Sequence, residues 1–142
     1  SSSDEYLIYS TNNSNITQSK YGGMSIGFKT YNGTNLYPFI EYDAFGEIIR
    51  LDGSNSSLVK SVPVWNWTKI RLYKTNEMKG DLEVMRWKLW IGNELCIDHT
   101  DTTYKTFNQE QGSNNFIKIA GENKGGSRRF SGYLYDFKVY NI

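Results

Sequence analysis

The sequence contains few residues of the kinds that build metal and redox sites: it has one cysteine, Cys96, and one histidine, His99. A single cysteine excludes an internal disulfide, and a lone histidine beside Asp98 lacks the His or Cys cluster of a zinc site. We predict that Cys96 is a buried, inert thiol, with a link to another chain as the alternative, and that His99 is a polar surface residue. No cofactor is predicted.

Charge and hydropathy give no support to nucleic acid or membrane as the partner. The formal net charge of the 142 residues is +1, so no global field attracts a polyanion. No stretch approaches the roughly 18 consecutive apolar residues of a spanning helix, and the amino-terminal SSSDEYLIYS lacks the basic and apolar regions of a signal peptide. We predict no nucleic-acid partner, no membrane insertion, and one domain over residues 1–142 that is a fragment of a larger protein.

Five asparagines begin an N-x-S/T sequon, where a glycan is attached in secreted proteins: Asn12, Asn15, Asn32, Asn55 and Asn66. In a sequence this rich in Asn, Ser and Thr, roughly half of them would arise by chance. The sequons therefore favour an extracellular or cell-surface location only modestly, and that location is our prediction.

Aromatic residues make up 15% of the chain and cluster with Val, Ile and Thr in short runs that alternate with polar residues. This period of two is typical of half-buried strands. The predicted strands are 5–10, 22–31, 36–43, 46–52, 67–75, 82–92, 95–99, 115–121 and 130–141. Because turn-forming residues separate them and no helix-length apolar stripe is present, we predict an all-β fold, a two-sheet antiparallel sandwich.

Alternation also predicts which side chains point into the core. The predicted inward set is Met24, Ile26, Phe28, Thr68, Ile70, Leu72, Met85, Trp87, Leu89 and Ile91. The predicted outward set is Lys29, Tyr31, Lys69, Arg71, Tyr73, Arg86, Lys88 and Trp90. A slip of one residue would move every apolar set into water, so the register is firmly specified.

Several pieces follow one another in a familiar order. They are LIYS, MSIGF, the hairpin FIEYDAFGEIIRL, WNWTKIRL with Trp65 and Trp67 before its strand, WKLWIGNEL with a tight turn at Gly92 and Asn93, FIKIAG and FSGYLYDFKVYN. The closing F-x-G-x-[LI]-x-D-[FV]-x-[VI]-Y is matched by Phe130, Gly132, Leu134, Asp136, Phe137, Val139 and Tyr140. In this order the chain resembles the laminin G-like branch of the concanavalin A-like lectin/glucanase jelly rolls.

The resemblance implies a jelly-roll fold over nearly the whole chain, and it implies function more weakly because its motifs are structural. Tyr133 stands where true laminin G modules carry a cysteine, so the disulfide-bearing subgroup does not apply. Some members of the family hold calcium through loop aspartates. Asp43, Asp52, Asp98 and Asp101 carry suitable oxygens, but no fixed spacing selects among them, so calcium is not predicted.

The stretch EYDAFGE raises the question of catalysis, because laminarinase-type hydrolases of this fold carry E-x-D-x-E or E-x-D-x-x-E on one strand. Here Glu41, Asp43 and Glu47 are spaced E-x-D-x-x-x-E. On a straight strand Glu41 and Glu47 would lie about 20 Å apart, whereas retaining hydrolysis needs carboxyl groups about 5 to 5.5 Å apart. We predict instead a hairpin turn at D-A-F-G, with Gly46 at positive φ, both glutamates exposed, and no enzymatic activity.

Two sets of residues are candidates for ligand binding. Arg71, Tyr73, Arg86, Lys88 and Trp90 would be neighbours if strands 67–75 and 82–92 pair, and aromatic rings beside guanidinium groups suit sugars and their acidic groups. Arg128 and Arg129 lie in the basic loop KGGSRR. The alternative is that both sets are solvated surface. We predict a non-catalytic carbohydrate-binding module that holds a glycan, acidic glycans included, with a structural protein-protein interaction domain as the alternative.

Overall fold

The computed structural model describes residues 5–11, 23–31, 35–45, 47–52, 62–63, 66–107, 118–119 and 132–140. Within these ranges the chain forms nine β-strands, and none of its elements is a helix long and apolar enough to cross a membrane. The strands are β1 (Glu5–Ser10), β2 (Met24–Tyr31), β3 (Asn35–Asp43), β4 (Ile48–Leu51), β5 (Val62–Pro63), β6 (Ile70–Lys79), β7 (Leu82–Ile91), β8 (Glu94–Asp101) and β9 (Lys118–Ile119). The all-β prediction is confirmed for these ranges.

The strands form two antiparallel sheets. In the larger sheet, the four longer strands lie in the order β4-β3-β2-β1, and the two-residue strands β9 and β5 pair with β1 and β3. The smaller sheet is the meander β6-β7-β8. Two antiparallel sheets are therefore present, as the alternating pattern predicted.

Glycines at tight turns connect the strands of the smaller sheet. The two connections, 80–81 and 92–93, are two residues long. Gly80 has a φ of 64° and Gly92 a φ of 59°, which is the left-handed φ that a type II′ hairpin needs at its first central residue. The turn predicted at Gly92 and Asn93 is confirmed, whereas β6 continues to Lys79, beyond the predicted end of this strand at residue 75.

Both sheets contribute side chains to one buried cluster. Its members are Met24, Ile40, Tyr42, Ala44, Leu51, Met85, Trp87, Leu89 and Ile97. The rings of Tyr42 in the larger sheet and Trp87 in the smaller sheet stack across the cluster, with centroids 4.9 Å apart. Trp87 is wholly buried. The predicted core position of this tryptophan is confirmed.

The predicted inward faces agree with the observed burial. Met24, Phe28, Met85 and Leu89 are buried, and the other inward positions are partly buried: Ile26, Thr68, Ile70, Leu72 and Ile91. Cys96 is buried, as predicted.

The opposite face of the larger sheet is buried too, which the sequence pattern did not predict. Leu7 and Phe39 are fully buried there, and the guanidinium carbon of Arg50 lies 4.0 Å from the centroid of the Phe39 ring. Arg50 also forms ion pairs with Glu5 at 2.8 Å and Glu41 at 3.5 Å. The prediction that Glu41 is exposed is therefore wrong, because this cross-strand arginine compensates its charge in a nearly dry position.

The stretch EYDAFGE forms the predicted hairpin between β3 and β4. Asp43 pairs with Ile48 across the ladder, and the Ala44 amide donates to the Glu47 carbonyl oxygen at 2.7 Å. Gly46 lies outside the described residues. In the described part of this turn the left-handed residue is Phe45, with a φ of 56°.

The carboxyl-terminal prediction is wrong in part. Residues 132–140 form no strand and are exposed, although the whole of 130–141 has the alternating pattern of one. Asp136 has a φ of 58°, which interrupts an extended run, and β9 already pairs with Tyr9 and Ser10 of β1. Within 115–121 the described strand is limited to 118–119. Strand β5 was not predicted, since two residues carry no alternating signal.

Candidate functional site

The five predicted binding residues of the smaller sheet lie on one side of it, which we call the outer face. Arg71 pairs with Trp90 across β6 and β7, and Tyr73 pairs with Lys88. Arg86 follows two positions along β7, opposite Thr75. Directly opposite residues share a face and contact one another. The strand pairing on which the candidate site depends is therefore present.

Arg86 is held by two carboxylates. Its Nε donates to Asp98 Oδ1 at 2.9 Å and its Nη2 to Asp98 Oδ2 at 2.8 Å, which is a bidentate pair. Its Nη1 donates to Glu77 Oε2 at 3.1 Å. The hydrogen bonds that Arg86 donates to Asp98 and Glu77 raise the pKa of Arg86, and the bonds to Asp98 lower the pKa of Asp98. Arg86 therefore links β8 to β6 across β7, and each of its three nitrogen atoms has a carboxylate partner.

Arg71 and Trp90 form a second contact, at the other end of the outer face. The guanidinium carbon of Arg71 lies 5.3 Å from the centroid of the Trp90 ring, which is a cation-π distance. Arg71 Nη2 donates to the carbonyl oxygen of Gly92 at 3.2 Å. Its Nε is buried and has no hydrogen-bond partner in the described part of the chain. Trp90 is half-buried, so its ring offers part of its surface to solvent.

Tyr73 and Lys88 lie between these two contacts. Tyr73 is exposed and Lys88 is half-buried. Lys88 also lies opposite Asp98 on β8, and its positive charge contributes to the lowered pKa of Asp98 after the Arg86 hydrogen bond. The centre of the outer face thus combines a phenol and an ammonium group, next to the Arg71–Trp90 contact.

The two acidic residues on the outer face, Glu77 and Asp98, were not among the predicted site residues. Each lies on a strand next to Arg86, and opposite charges on neighbouring strands attract. Glu77 was missed because the predicted strand ends at residue 75. Asp98 was missed because alternation along the run 95–99 does not say which strand it pairs with. Arg128 and Arg129 lie outside the described residues.

A separate polar network lies in the interior between the sheets. The Tyr42 hydroxyl donates to Asp101 Oδ2 at 2.8 Å, and the amides of Thr103 and Tyr104 donate to Oδ1 at 2.9 and 3.0 Å. Burial acts to raise the pKa of Asp101, but these three hydrogen bonds outweigh it and the pKa is lowered. Burial, with the hydrogen bond and charge of Asp101, raises the pKa of Tyr42.

His99 lies near this network, on the same strand as Asp101. It pairs with Trp87 across the ladder and is half-buried, so the histidine predicted at the surface is only partly exposed. Burial lowers its pKa, against the opposite effect of Asp101 and Asp98. His99 is half-buried because it occupies the row of β8 side chains that points toward the core.

In the described ranges, no three His, Cys, Asp or Glu side chains are grouped as a metal site requires. No protein-family model, curated protein or solved structure was found to match the chain. The chemistry of the outer face is therefore the basis on which a function is proposed.

Proposed function

We propose that the chain is a non-catalytic, lectin-like carbohydrate-binding module of a larger extracellular or cell-surface protein, with the jelly-roll topology of the family it resembles. The observation that supports this best is the contact between Arg71 and Trp90 beside Tyr73 and Lys88 on one sheet face. Aromatic rings at the surface stack on the apolar faces of sugars, and fixed donors beside them bind hydroxyl or carboxylate oxygens.

The contacts of Arg86 limit how acidic groups are bound. Each of its three nitrogen atoms already donates to Asp98 or Glu77, so a ligand carboxylate that bound its Nε and Nη2 together would have to displace the bidentate pair with Asp98. Of the five predicted residues, Arg71 and Lys88 are the other cations, and we expect them to recognise an acidic glycan. We expect Trp90 and Tyr73 to supply most of the affinity, and the two cations to supply selectivity for charge.

Binding by the isolated domain to an array of neutral and acidic glycans tests this proposal at low salt. Trp90→Ala should weaken binding at least tenfold, because it removes the stacking plane, while a cooperative thermal unfolding transition shows that the variant is still folded. Tyr135→Ala is the matched control, since Tyr135 is an exposed aromatic residue on residues 132–140 and not on the outer face. Absence of binding by the unaltered domain at millimolar glycan would contradict the proposal, and so would equal loss in both variants.

The second candidate function, a structural domain that binds other protein chains, is favoured by residues 132–140. Within this segment the large apolar side chains are exposed, Tyr133 by 84% and Tyr135 by 86%. Apolar surface of this kind marks protein-protein contacts. Among the described residues β6 is an edge strand of the smaller sheet, and it is a poorer contact because Lys74 points inward from it, and a charge so placed discourages strand addition.

Sedimentation of the domain over a range of concentrations tests the second candidate. If residues 132–140 bind protein chains of the same kind, the unaltered domain should associate, and the double variant Tyr133→Ser with Tyr135→Ser should stay monomeric. A monomer at all concentrations for both proteins would remove the support for self-assembly. Loss of glycan binding in the double variant would indicate instead that the segment belongs to the sugar site.

A further inference from the structure

Of the five sequons, the one at Asn66 lies in the described part of the chain. Asn66 and Trp67 are exposed, and the segment 66–69 forms neither helix nor strand before β6 begins at Ile70. The hydroxyl of Thr68, which completes the sequon, has its oxygen 3.5 Å from the carbonyl oxygen of Asn66. The three residues thus form a local loop whose amide side chain is open to solvent.

The loop is fixed at one end of the smaller sheet. The Gly92 amide donates to the carbonyl oxygen of Lys69 at 2.8 Å, so the segment runs beside the turn between β7 and β8. Arg71 donates to the carbonyl oxygen of that same Gly92. A group attached to Asn66 would therefore extend from the end of the outer face that carries Arg71 and Trp90. Trp67 is 75% exposed beside it, and a bulky polar group there would cover apolar surface.

We propose that Asn66 is an N-glycosylation site, occupied when the protein is secreted. Its side-chain nitrogen would form a bond to the anomeric carbon of an oligosaccharide while losing one proton. The bond from that carbon to a lipid-linked pyrophosphate donor breaks, and the lipid pyrophosphate leaves. The sequon identifies the acceptor chemistry, and exposure outside a strand gives a transferase access to it. The inference rests on the proposed extracellular location and not on sugar binding by the outer face.

Tryptic mapping of protein secreted from eukaryotic cells behind a foreign signal peptide tests this site alone. Cleavage after Lys60 and Lys69 releases peptide 61–69, which contains Asn66 and no other sequon. We expect the asparagine in this peptide to become aspartate after treatment with an N-glycosidase. Asn66→Gln and Thr68→Ala should each remove one glycan from the intact protein on a gel, whereas Thr68→Ser, which keeps the sequon, should retain it.

Recovery of peptide 61–69 only in its unmodified form from folded, secreted protein would overturn the proposal. Retention of the glycan in Thr68→Ala would do the same. If a variant is secreted poorly, occupancy is read from the peptide of the unaltered protein, so the test does not depend on the variant folding. Bacterially produced protein carries no such glycan, and its binding to the glycan array tests the outer face separately.

Discussion

At the scale of single residues, the clearest stability test concerns the hydrogen bond between Tyr42 and Asp101. The two groups are buried, and their oxygens are 2.8 Å apart. Tyr42→Phe keeps the ring stack on Trp87 but removes one donor to a buried carboxylate. An acceptor left without its donor typically costs about 1–3 kcal/mol. We expect the free energy of unfolding in urea to fall by this amount, with little change in its dependence on urea concentration.

The residue to compare with Tyr42 is Tyr73, which is exposed on the outer face. Tyr73→Phe removes a hydroxyl that solvent already reaches, so the free energy of unfolding should change by less than about 0.5 kcal/mol. Equal losses in the two variants would show that the interior hydrogen bond does not stabilise the fold. The same experiment reports on function, because Tyr73→Phe should weaken glycan binding if its hydroxyl contacts the ligand.

At the scale of elements, the close approach of neighbouring strands in the larger sheet requires the glycine at position 27 in β2. A Cβ atom there would overlap the carbonyl oxygen of Tyr6 and would lie 2.7 Å from Cζ of Phe39. Because one of these atoms belongs to the backbone of the neighbouring strand, the clash cannot be relieved by a rotamer change. We expect Gly27→Ala to lower the free energy of unfolding by about 1–3 kcal/mol, measured by urea denaturation.

The control for Gly27→Ala is a substitution at Gly92, where a glycine is required by a positive φ and not by close packing of other atoms. A Cβ at Gly92 would meet no atom within 4 Å, and its φ is 59°. Asparagine tolerates this left-handed φ, so Gly92→Asn should cost less than Gly27→Ala. The reverse order would mean that the turn limits stability more than the close approach of the strands.

Strands could be predicted from the sequence where one face is apolar and the other polar. The run 82–92 is the clearest case, since it places Trp87 in the core and Trp90 on the outer face, as observed. In the larger sheet alternation predicted the inward row of β2, but it did not predict that Leu7 and Phe39 are buried on the opposite face, where Glu41 lies in a nearly dry position. It also failed for residues 132–140, whose pattern fits a strand although no hydrogen-bonding partner among the described residues receives them.

Alternation predicted which of the candidate binding residues share a sheet face, but it did not predict the hydrogen bonds and ion pairs that they form. Alternation is enough to place Arg71, Tyr73, Arg86, Lys88 and Trp90 on one face. Which cations remain available to a ligand depends on the third strand, and Asp98 reaches Arg86 only because β8 pairs with β7 in the observed register. The charge of a site is therefore less predictable from one sequence than its position.

At the scale of the whole molecule, two interior groups make stability depend on pH. The pKa of His99 is lowered by burial from its ordinary value of 6.5. Below pH 6.5 His99 therefore binds a proton more readily in the unfolded chain than in the folded chain. Its contribution to the free energy of unfolding is present above this pH and is lost as the pH falls. The pKa of Asp101 is lowered from 3.8, so its contribution is present above that value and is lost in more acid solution.

We expect the melting temperature to fall in two steps on acidification, the first beginning near pH 6.5 and the second below about pH 4. His99→Gln should flatten the first step and leave the second, because it removes one titrating group and keeps the Tyr42–Asp101 hydrogen bond. Asp101→Asn should leave the first step and reduce the second, to which the ion-paired Asp98 also contributes. It should lower stability at neutral pH because the buried carboxylate accepts three hydrogen bonds there. A first step of equal size in His99→Gln would mean that this histidine titrates in the folded protein as it does in the unfolded chain, contrary to its position opposite the buried Trp87.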